Sequence, residues 1–250
     1  MGLPISPGVS LSARLSRRRP GTRSSVRIRK PRLALGAAPL DLGGGNLPRE
    51  LTSFVGRRDQ LADIARALQT APLLTLVGVG GVGKTRLAVR AAADARGRYA
   101  SGAWFVELER ISDPAGVAPE VARALGARER PGSSPVEALS ALLRNRQLLL
   151  VLDNCEQVVA ACAELAATLL QTCPDLCILT TSREGLGVAG ETIYPVSPLT
   201  VPSTPEASTG SVDNEAIELF VERARAIEPA LELTPQAASS IARICSLLDG

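Results

Sequence analysis

The chain has 250 residues, 45% of them hydrophobic, which is enough for one α/β domain of ordinary size and part of another. Aromatic residues make up only 2% and histidine is absent, which disfavours base stacking as a binding mode and excludes Ser-His or Cys-His catalysis and Cys/His zinc sites. The net charge of +3 is uneven, because residues 1–34 hold nine basic residues and no acid, leaving 19 basic and 25 acidic residues elsewhere.

Residues 1–45 are predicted to form a disordered basic tail. The segment "SARLSRRRPGTRSSVRIRKPR" is rich in arginine and serine and lacks the apolar periodicity that a folded element needs. Two other interpretations stay open for it, a nucleic-acid-binding arm and an organellar transit peptide. A secretory signal is not expected, because no apolar stretch of roughly 7–15 residues follows the positive charges.

Residues 46–199 alternate between predicted strands and predicted helices. Short apolar runs predict strands at 73–77, 103–108, 147–153, 176–181 and 192–196. Apolar residues spaced three and four apart predict helices at 84–98, 114–127, 135–146 and 156–172. This order predicts a three-layer α/β fold, in which a parallel sheet lies between helices on both faces.

Residues 200–250 are predicted to form a linker and the start of an incomplete helical lid domain. A Pro/Ser/Thr-rich connection is followed by two amphipathic stretches, 213–227 and 234–250, with no strand between them. Asp213 is the expected N-cap of the first helix. The expected buried stripe of that helix consists of Ile217, Phe220, Ala224 and Ile227.

The segment "TLVGVGGVGKT" at 75–85 matches two nucleotide-binding motifs. As G-x-G-x-x-G it is a dinucleotide fingerprint, and Glu107 lies roughly where that motif places its ribose-binding acid. As G-x-x-x-x-G-K-[ST] it is a P-loop. The chain has only two lysines, and one of them, Lys84, stands at the P-loop position. We therefore favour the P-loop, whose backbone cradles phosphate while Lys84 reaches the terminal phosphates and Thr85 binds Mg²⁺.

Polar residues at the ends of the predicted strands 147–153 and 176–181 complete a predicted catalytic site. Asp153 ends the strand "QLLLVLD" and is a predicted Mg²⁺ ligand, whereas the amide of Asn154 cannot act as a general base. Glu156 is the nearest usable carboxylate, although a glutamate at a helix start is also favoured by the helix dipole alone. Arg183 ends the strand of "TTSR" and is either a γ-phosphate contact or an ordinary surface arginine.

The ordered set of "FVGR", the P-loop, "LLLVLDNCE", "TTSRE" and "EAIELFVERARAI" resembles the STAND class of signal-transduction ATPases over about residues 47–250. It is close to NB-ARC domains and to the ATPase modules of bacterial LuxR-type and antibiotic-regulator-type transcription factors. The resemblance implies that Arg183 is a sensor arginine and that the chain switches between an ADP-bound resting form and an ATP-bound oligomer. It also implies that "FVGR" lies against the adenine. Together with the P-loop, the predicted nucleotide-binding residues are Phe54, Val55, Gly56, Arg57, Gly78, Val79, Gly80, Gly81, Val82, Gly83, Lys84, Thr85 and Arg86.

We therefore expect an ATP-binding, slowly hydrolysing ATPase domain of a transcriptional regulator that acts as a nucleotide-dependent switch, with ATP/ADP and Mg²⁺ as cofactors. The predicted catalytic residues are Lys84, Asp153, Glu156 and Arg183, and the predicted metal ligands are Thr85 and Asp153. Two alternatives stay open, a metabolic P-loop kinase and a non-hydrolysing nucleotide-binding scaffold. A Ras-type GTPase is excluded, because its Asn-Lys-x-Asp motif needs a lysine after the P-loop.

The same reading predicts the partners and the compartment of the chain. Adenine nucleotide is the expected ligand, self-association is expected in the ATP state, and DNA is expected to bind only through domains outside this sequence. No membrane partner is expected, because no run of roughly 18 apolar residues occurs. The five cysteines form no C-x-x-C pair, so we expect buried free thiols and a cytoplasmic location.

Overall fold

The computed structural model describes Gly2 and residues 44–128, 130–201 and 214–248. The chain divides into two units, and the fold described below is that of the second, residues 37–250. Nearly all of the predicted tail and most of the predicted linker lie outside the described residues.

Five parallel strands form one sheet: β1 (Leu73–Val77), β2 (Ala103–Glu107), β3 (Leu148–Asp153), β4 (Leu176–Ser182) and β5 (Glu191–Pro195). Their order in the sheet is β2-β3-β4-β1-β5. Glu107, the last residue of β2, stands opposite Asp153, the last residue of β3. Because the strands are parallel and β3, β4 and β1 are neighbours, their carboxyl ends lie side by side.

Helices cover both faces of the sheet. Side chains alternate along each strand, so Leu150 of β3 joins a cluster with α3, α4 and α5, whereas Val151 joins a cluster with α1 and α2. This arrangement confirms the predicted three-layer α/β fold. The helices of the described residues are α1 (Arg58–Ala67), α2 (Lys84–Ala95), α3 (Val117–Leu125), α4 (Pro135–Leu143), α5 (Val159–Thr172), α6 (Glu215–Ile227) and α7 (Pro235–Leu247).

The predicted strands agree with the observed structure better than the predicted helices do. Every predicted strand matches an observed one to within one residue at each end. The predicted helices are too long, because residues 96–98, 114–116 and 155–157 form 3₁₀ turns beside α2, α3 and α5. Helix α1 was not predicted; half of its residues are polar, and Ile64 is its one buried residue.

The outer edge of β2 is closed by residues 44–46. Gly45 bridges to Ala103, and its φ of +114° and the close carbonyl of Ala103 leave no room for a Cβ. The backbone N–H of Phe105 donates to Asn46 Oδ1 over 2.6 Å, and Asn46 Nδ2 donates to the Phe105 carbonyl over 2.9 Å. A carboxamide offers the same donor and acceptor as a peptide group, so Asn46 replaces one residue of a neighbouring strand.

Helices α6 and α7 pack together around a small cluster that includes Ala216, Val221 and Ile241. The predicted stripe of α6 is only partly correct: Ile217 packs against this cluster, whereas Phe220 is 37% exposed and Ile227 is 87% exposed. The buried residues of α6 are instead Ala216 and Val221. The N-cap is Asn214, since the helix begins at Glu215, and the predicted N-cap Asp213 lies outside the described residues.

Candidate functional site

The loop between β1 and α2 has the shape of a phosphate cradle. Gly81 and Gly83 adopt left-handed φ values of +80° and +92°, and no atom lies within 4 Å of a Cβ built on Gly81. The buried ammonium group of Lys84, the first residue of α2, donates to the carbonyl oxygens of Gly78 (2.8 Å) and Val79 (3.0 Å). The loop therefore combines a helix N-terminus with a cation, two features that favour a bound phosphate.

Thr85 and Asp153 lie together at the carboxyl end of the sheet. Thr85 Oγ1 donates to Asp153 Oδ2 over 3.0 Å, and Thr181 Oγ1 donates to Asp153 Oδ1 over 2.6 Å. Burial raises the pKa of Asp153, and the hydrogen bonds from Thr181 and Thr85 and the charge of Lys84 oppose that shift. Hydroxyl and carboxylate oxygens are ligands that suit Mg²⁺.

Such a magnesium site would be only partly built from protein. In the part of the chain that the structure describes, no group of three or more His, Cys, Asp or Glu residues could hold a metal ion. Mg²⁺ commonly binds through one or two protein oxygens together with substrate phosphates and water. Thr85 and Asp153, beside the P-loop, fit that pattern.

Asn154, Glu156 and Arg183 follow the ends of β3 and β4. Asn154 has a left-handed φ of 58°, and its N–H donates to Thr181 Oγ1 over 3.0 Å. In the next turn, Glu156 Oε1 accepts a hydrogen bond from Arg183 Nε over 3.2 Å. Glu156 Oε2 is buried and has no hydrogen-bond partner within the described ranges. The hydrogen-bonding capacity of this carboxylate oxygen is therefore not used by the described protein atoms.

The guanidinium of Arg183 reaches towards the P-loop. Its Nη2 stands 3.9 Å from the position of a Cβ on Gly80, and 69% of its side chain is exposed. The arginine is therefore placed between Glu156 and the phosphate cradle, free to move towards either.

A cavity of about 180 Å³ opens beside the glycines of the P-loop. Arg57 forms part of its wall: its guanidinium donates to the Val82 carbonyl over 2.5 Å and to Gln60 Oε1 over 2.9 Å. Burial lowers the pKa of Arg57, and the negative charge of Glu215 opposes the shift. The lining residues are Phe54, Val55, Arg57, Gly81, Val82, Gly83, Arg86, Leu199 and Leu219. A mostly apolar wall next to a phosphate cradle suits the base and ribose of a nucleotide.

Four residues around this site were not predicted from the sequence, namely Thr181, Leu199, Glu215 and Leu219. Thr181 left a signal, because Thr180, Thr181 and Ser182 are polar residues at the end of an otherwise apolar strand, and buried hydroxyls need partners. The other three left no local signal, since they are more than a hundred residues from the P-loop in the chain and meet it only in the folded structure.

The sheet order excludes the dinucleotide interpretation. In a dinucleotide-binding fold the second strand lies next to the first, which places its acid beside the glycine loop. Here β3 and β4 lie between β1 and β2. Glu107 instead lines a separate cavity of about 540 Å³ with Asn46, Arg110 and Arg123. Glu107 therefore does not lie beside the glycine loop, so the alternative interpretation fails and the P-loop interpretation is retained.

A family model of the AAA domain matches residues 65–189, half of the chain. The chain belongs to the AAA domain family. The matched range holds the P-loop, Asp153, Glu156 and Arg183 of this AAA chain, whereas Phe54–Arg57 and helices α6 and α7 lie outside it.

Curated relatives of this AAA chain include regulators of transcription. An uncharacterized protein of Mycobacterium tuberculosis is 40% identical over 202 residues, which cover 81% of this chain and 49% of that protein. A protein of the same organism named as an HTH-type transcriptional regulator is 43% identical over 178 residues, covering 71% of this chain and 19% of that protein. The chain thus spans about half the length, or less, of these relatives. The predicted resemblance to P-loop ATPase modules of transcriptional regulators is confirmed.

Among solved structures, a Walker-type ATPase of Pyrococcus abyssi has the same fold as this AAA chain. The TM-score is 0.54 at 13% identity, over 82% of this chain and 67% of the other.

Two further properties bear on the expectations from sequence. All five cysteines are free and buried, as predicted, and burial raises the pKa of the Cys177 thiol. Within the described ranges, no helix has both the length and the apolar character needed to cross a membrane.

Proposed function

We propose that this chain is an ATP-binding, slowly hydrolysing ATPase domain that works as a nucleotide-dependent switch in a transcriptional regulator. The observation that carries the proposal is the contact between Thr85 and Asp153 over 3.0 Å, beside an ammonium group held on the P-loop carbonyls. A phosphate-binding cation, a metal-binding hydroxyl and a buried carboxylate thereby lie together beside the loop.

Each residue of this group has a role in binding the nucleotide. The N–H groups of the loop and the Lys84 ammonium bind the β- and γ-phosphates, which carry the largest negative charge of ATP. Thr85 and Asp153 hold Mg²⁺, which when bound neutralises phosphate charge. The cavity lined by Phe54, Val55 and Leu219 takes the base and ribose. Binding then depends mainly on positioned charge, as in other phosphoryl-transfer sites.

Hydrolysis requires a water molecule that loses a proton as its oxygen attacks the γ-phosphorus and the bond to ADP breaks. Glu156 is the candidate base, because its Oε2 is buried and has no hydrogen-bond partner among the described residues, while Arg183 holds Oε1. Arg183 also lies near Gly80, where it can stabilise charge on the γ-phosphate. An ion-paired carboxylate is a weaker base, and Asn154 supplies none, so turnover is expected to be slow.

The regulatory role draws on the relatives. A close relative is named as an HTH-type transcriptional regulator, of which this domain corresponds to 19%. We propose that ATP favours self-association of this domain and ADP a resting form, and that DNA binding belongs to other domains of such regulators. Slow hydrolysis would then set how long the active state lasts.

The test is to identify the nucleotide that co-purifies with the chain and to measure its turnover. We expect ADP on anion-exchange chromatography of the denatured protein, micromolar or tighter binding of ADP and ATP by calorimetry, and no binding of NADH. ATP hydrolysis without any added acceptor should be measurable and slow. A chain that binds neither ADP nor ATP would refute the assignment, and phosphate transfer only to an added small molecule would favour a kinase.

One observation favours a second candidate, a nucleotide-binding scaffold that does not hydrolyse. Asn154 has no basic lone pair at neutral pH, and the only carboxylate of the predicted set besides Asp153 is engaged by Arg183. Tight ATP binding with no release of phosphate over hours would support this candidate and would leave the nucleotide site as described.

A further inference from the structure

Residues 52–57 lie between the P-loop side of the domain and helix α6. On one side, Arg86 of α2 donates to the carbonyl oxygens of Thr52 (3.2 Å) and Ser53 (2.7 Å). On the other side, Arg223 of α6 donates to the same Ser53 carbonyl over 2.9 Å, and Ser53 Oγ donates to Glu222. The segment is therefore held from two elements that are more than a hundred residues apart in the chain.

Glu215, the first residue of α6, makes the contact nearest to the P-loop. Its Oε1 accepts a hydrogen bond from the backbone N–H of Arg57 over 2.5 Å. The side chain of the same Arg57 donates to the carbonyl of Val82, inside the P-loop. One residue therefore joins α6 to the phosphate-binding loop, through its backbone on one side and its guanidinium on the other.

The backbone at residues 56–57 is shaped to receive this carboxylate. Gly56 and Arg57 both have left-handed conformations, with φ of +69° and 60°. A Cβ on Gly56 would stand 2.5 Å from Glu215 Cδ and 2.6 Å from its Oε1, so the carboxylate occupies the space that any larger residue would need. A non-glycine residue such as Arg57 adopts positive φ only at a cost in free energy, which surrounding contacts must offset.

Stabilisation of helix α6 alone does not explain why the Glu215 side chain lies against the Arg57 backbone. A glutamate in a first turn is favoured by the helix dipole, and both Glu215 and Glu218 stand in the first turn of α6. Glu218 is exposed, whereas Glu215 is half-buried and turned onto the Arg57 backbone. The two residues are thus a natural pair for separating the dipole effect from the contact.

We propose that Glu215 is a positioning residue of the nucleotide site, which couples the docking of α6 to occupation of the P-loop through Arg57 and Val82. The inference rests on the proposed function and extends it. With Glu215 in place, the Gly56–Arg57 turn holds Arg57 against Val82 and completes the wall of the cavity. A nucleotide in that cavity therefore stabilises α6 at its docked position, and undocking of α6 weakens nucleotide binding by the same factor.

The test compares the full chain with Glu215→Ala, Glu215→Gln and, as matched control, Glu218→Ala. Calorimetry gives ADP affinity, and hydrogen exchange with and without ADP gives protection of residues 78–85 and 215–227. For Glu215→Ala we expect about tenfold weaker ADP binding, within the usual range of coupling between sites. ADP should still slow exchange at 78–85 in this variant but no longer at 215–227. Glu215→Gln, whose amide oxygen still accepts from Arg57, should recover most of both effects, and Glu218→Ala should match the parent.

Two results would overturn the inference. If the parent binds ADP and Glu215→Ala retains both its affinity and the ADP-dependent protection of 215–227, the coupling does not exist, although the nucleotide site stands. The second result is a loss of protection at 215–227 that is equal with and without ADP and occurs in both Glu215→Ala and Glu215→Gln. It would mean that Glu215 only stabilises the helix. A parent that binds no adenine nucleotide would refute the proposed function and the coupling together.

Discussion

Thr85 Oγ1 donates a hydrogen bond to Asp153 Oδ2 over 3.0 Å, which joins the first turn of α2 to the carboxyl end of β3. The two residues are 68 positions apart in the chain. Thr181 of β4 holds the other oxygen of the same carboxylate, so Asp153 is fixed from both sides before any ligand arrives. A carboxylate held in this way needs little reorganisation when a cation binds, and preorganised charge is the main contribution of phosphate-binding sites.

Lys84→Ala should abolish tight binding of ADP and ATP. The ammonium is the principal cation of the loop, and charge-assisted contacts of this kind contribute about 2–4 kcal/mol, or roughly 30- to 1,000-fold in affinity. Isothermal calorimetry measures the effect. Arg66→Ala is the matched control, because Arg66 is an exposed cation of α1 whose partner is Asp63. Unchanged affinity in Lys84→Ala would contradict the P-loop assignment.

Asp153→Asn should weaken the effect of Mg²⁺ on nucleotide binding. The amide keeps an acceptor for Thr85 but loses the negative charge that attracts the metal, and a loss of about 10- to 100-fold in metal affinity is expected. ATP affinity is to be measured with Mg²⁺ and with a chelator present. Asp175→Asn makes the same change at an exposed position and should behave as the parent. If Mg²⁺ still strengthens ATP binding to Asp153→Asn by the full factor, the metal lies elsewhere.

Local signals explain why some of this site was predictable from sequence. Six successive buried residues form β3, because the strand is covered on both faces, and a continuous apolar run ending in Asp153 records that burial. The P-loop is equally local, since its function depends on glycines and Lys84 at fixed spacing. By contrast, strand order is set by contacts between distant segments, which is why the ribose interpretation of Glu107 was open until the sheet was known. The pairing of Glu215 with Arg57 spans 158 positions and leaves no periodic trace.

Asn46→Ala should destabilise the domain by about 1–2 kcal/mol, because it removes both partners of the Phe105 peptide at a sheet edge. Asn46→Asp keeps the acceptor and loses the donor, so its loss should be smaller. The free energy of unfolding in urea checks this order. Asn145→Ala, at an exposed position after α4, is the control. Equal stability of Asn46→Ala and Asn145→Ala would mean that water replaces the carboxamide at no cost.

The basic tail should be dispensable for nucleotide binding, since the candidate site begins at Phe54. A chain that begins at Gly44 should bind ADP as the parent does. A chain that begins at Leu47 should bind comparably but unfold at lower urea, because it lacks the Gly45 bridge and the Asn46 pairing. Loss of ADP binding in the chain that begins at Gly44 would place part of the tail in the domain.

Turnover should identify the group that activates water. If Glu156 is the base, Glu156→Gln should keep ATP affinity and lose about 10²-fold or more in the rate of phosphate release. Arg183→Ala has two opposing effects on the rate. It releases Glu156 Oε1 from its ion pair, but it also removes the positive charge near Gly80. We expect the second effect to dominate, so that the rate falls, because charge stabilisation of the transition state usually exceeds the gain from a more basic carboxylate.

The comparison with Asn154→Asp decides between the two origins of slow hydrolysis. Asn154 sits in a left-handed turn that aspartate also tolerates, so the substitution adds a carboxylate without a new backbone conformation. If Glu156→Gln is inactive and Asn154→Asp is unchanged, the base is Glu156 and its pairing with Arg183 limits the rate. If Glu156→Gln retains turnover while Asn154→Asp increases it, Glu156 serves only the start of its helical turn. Asn154 then orients the water, and the missing second acid is what slows this ATPase.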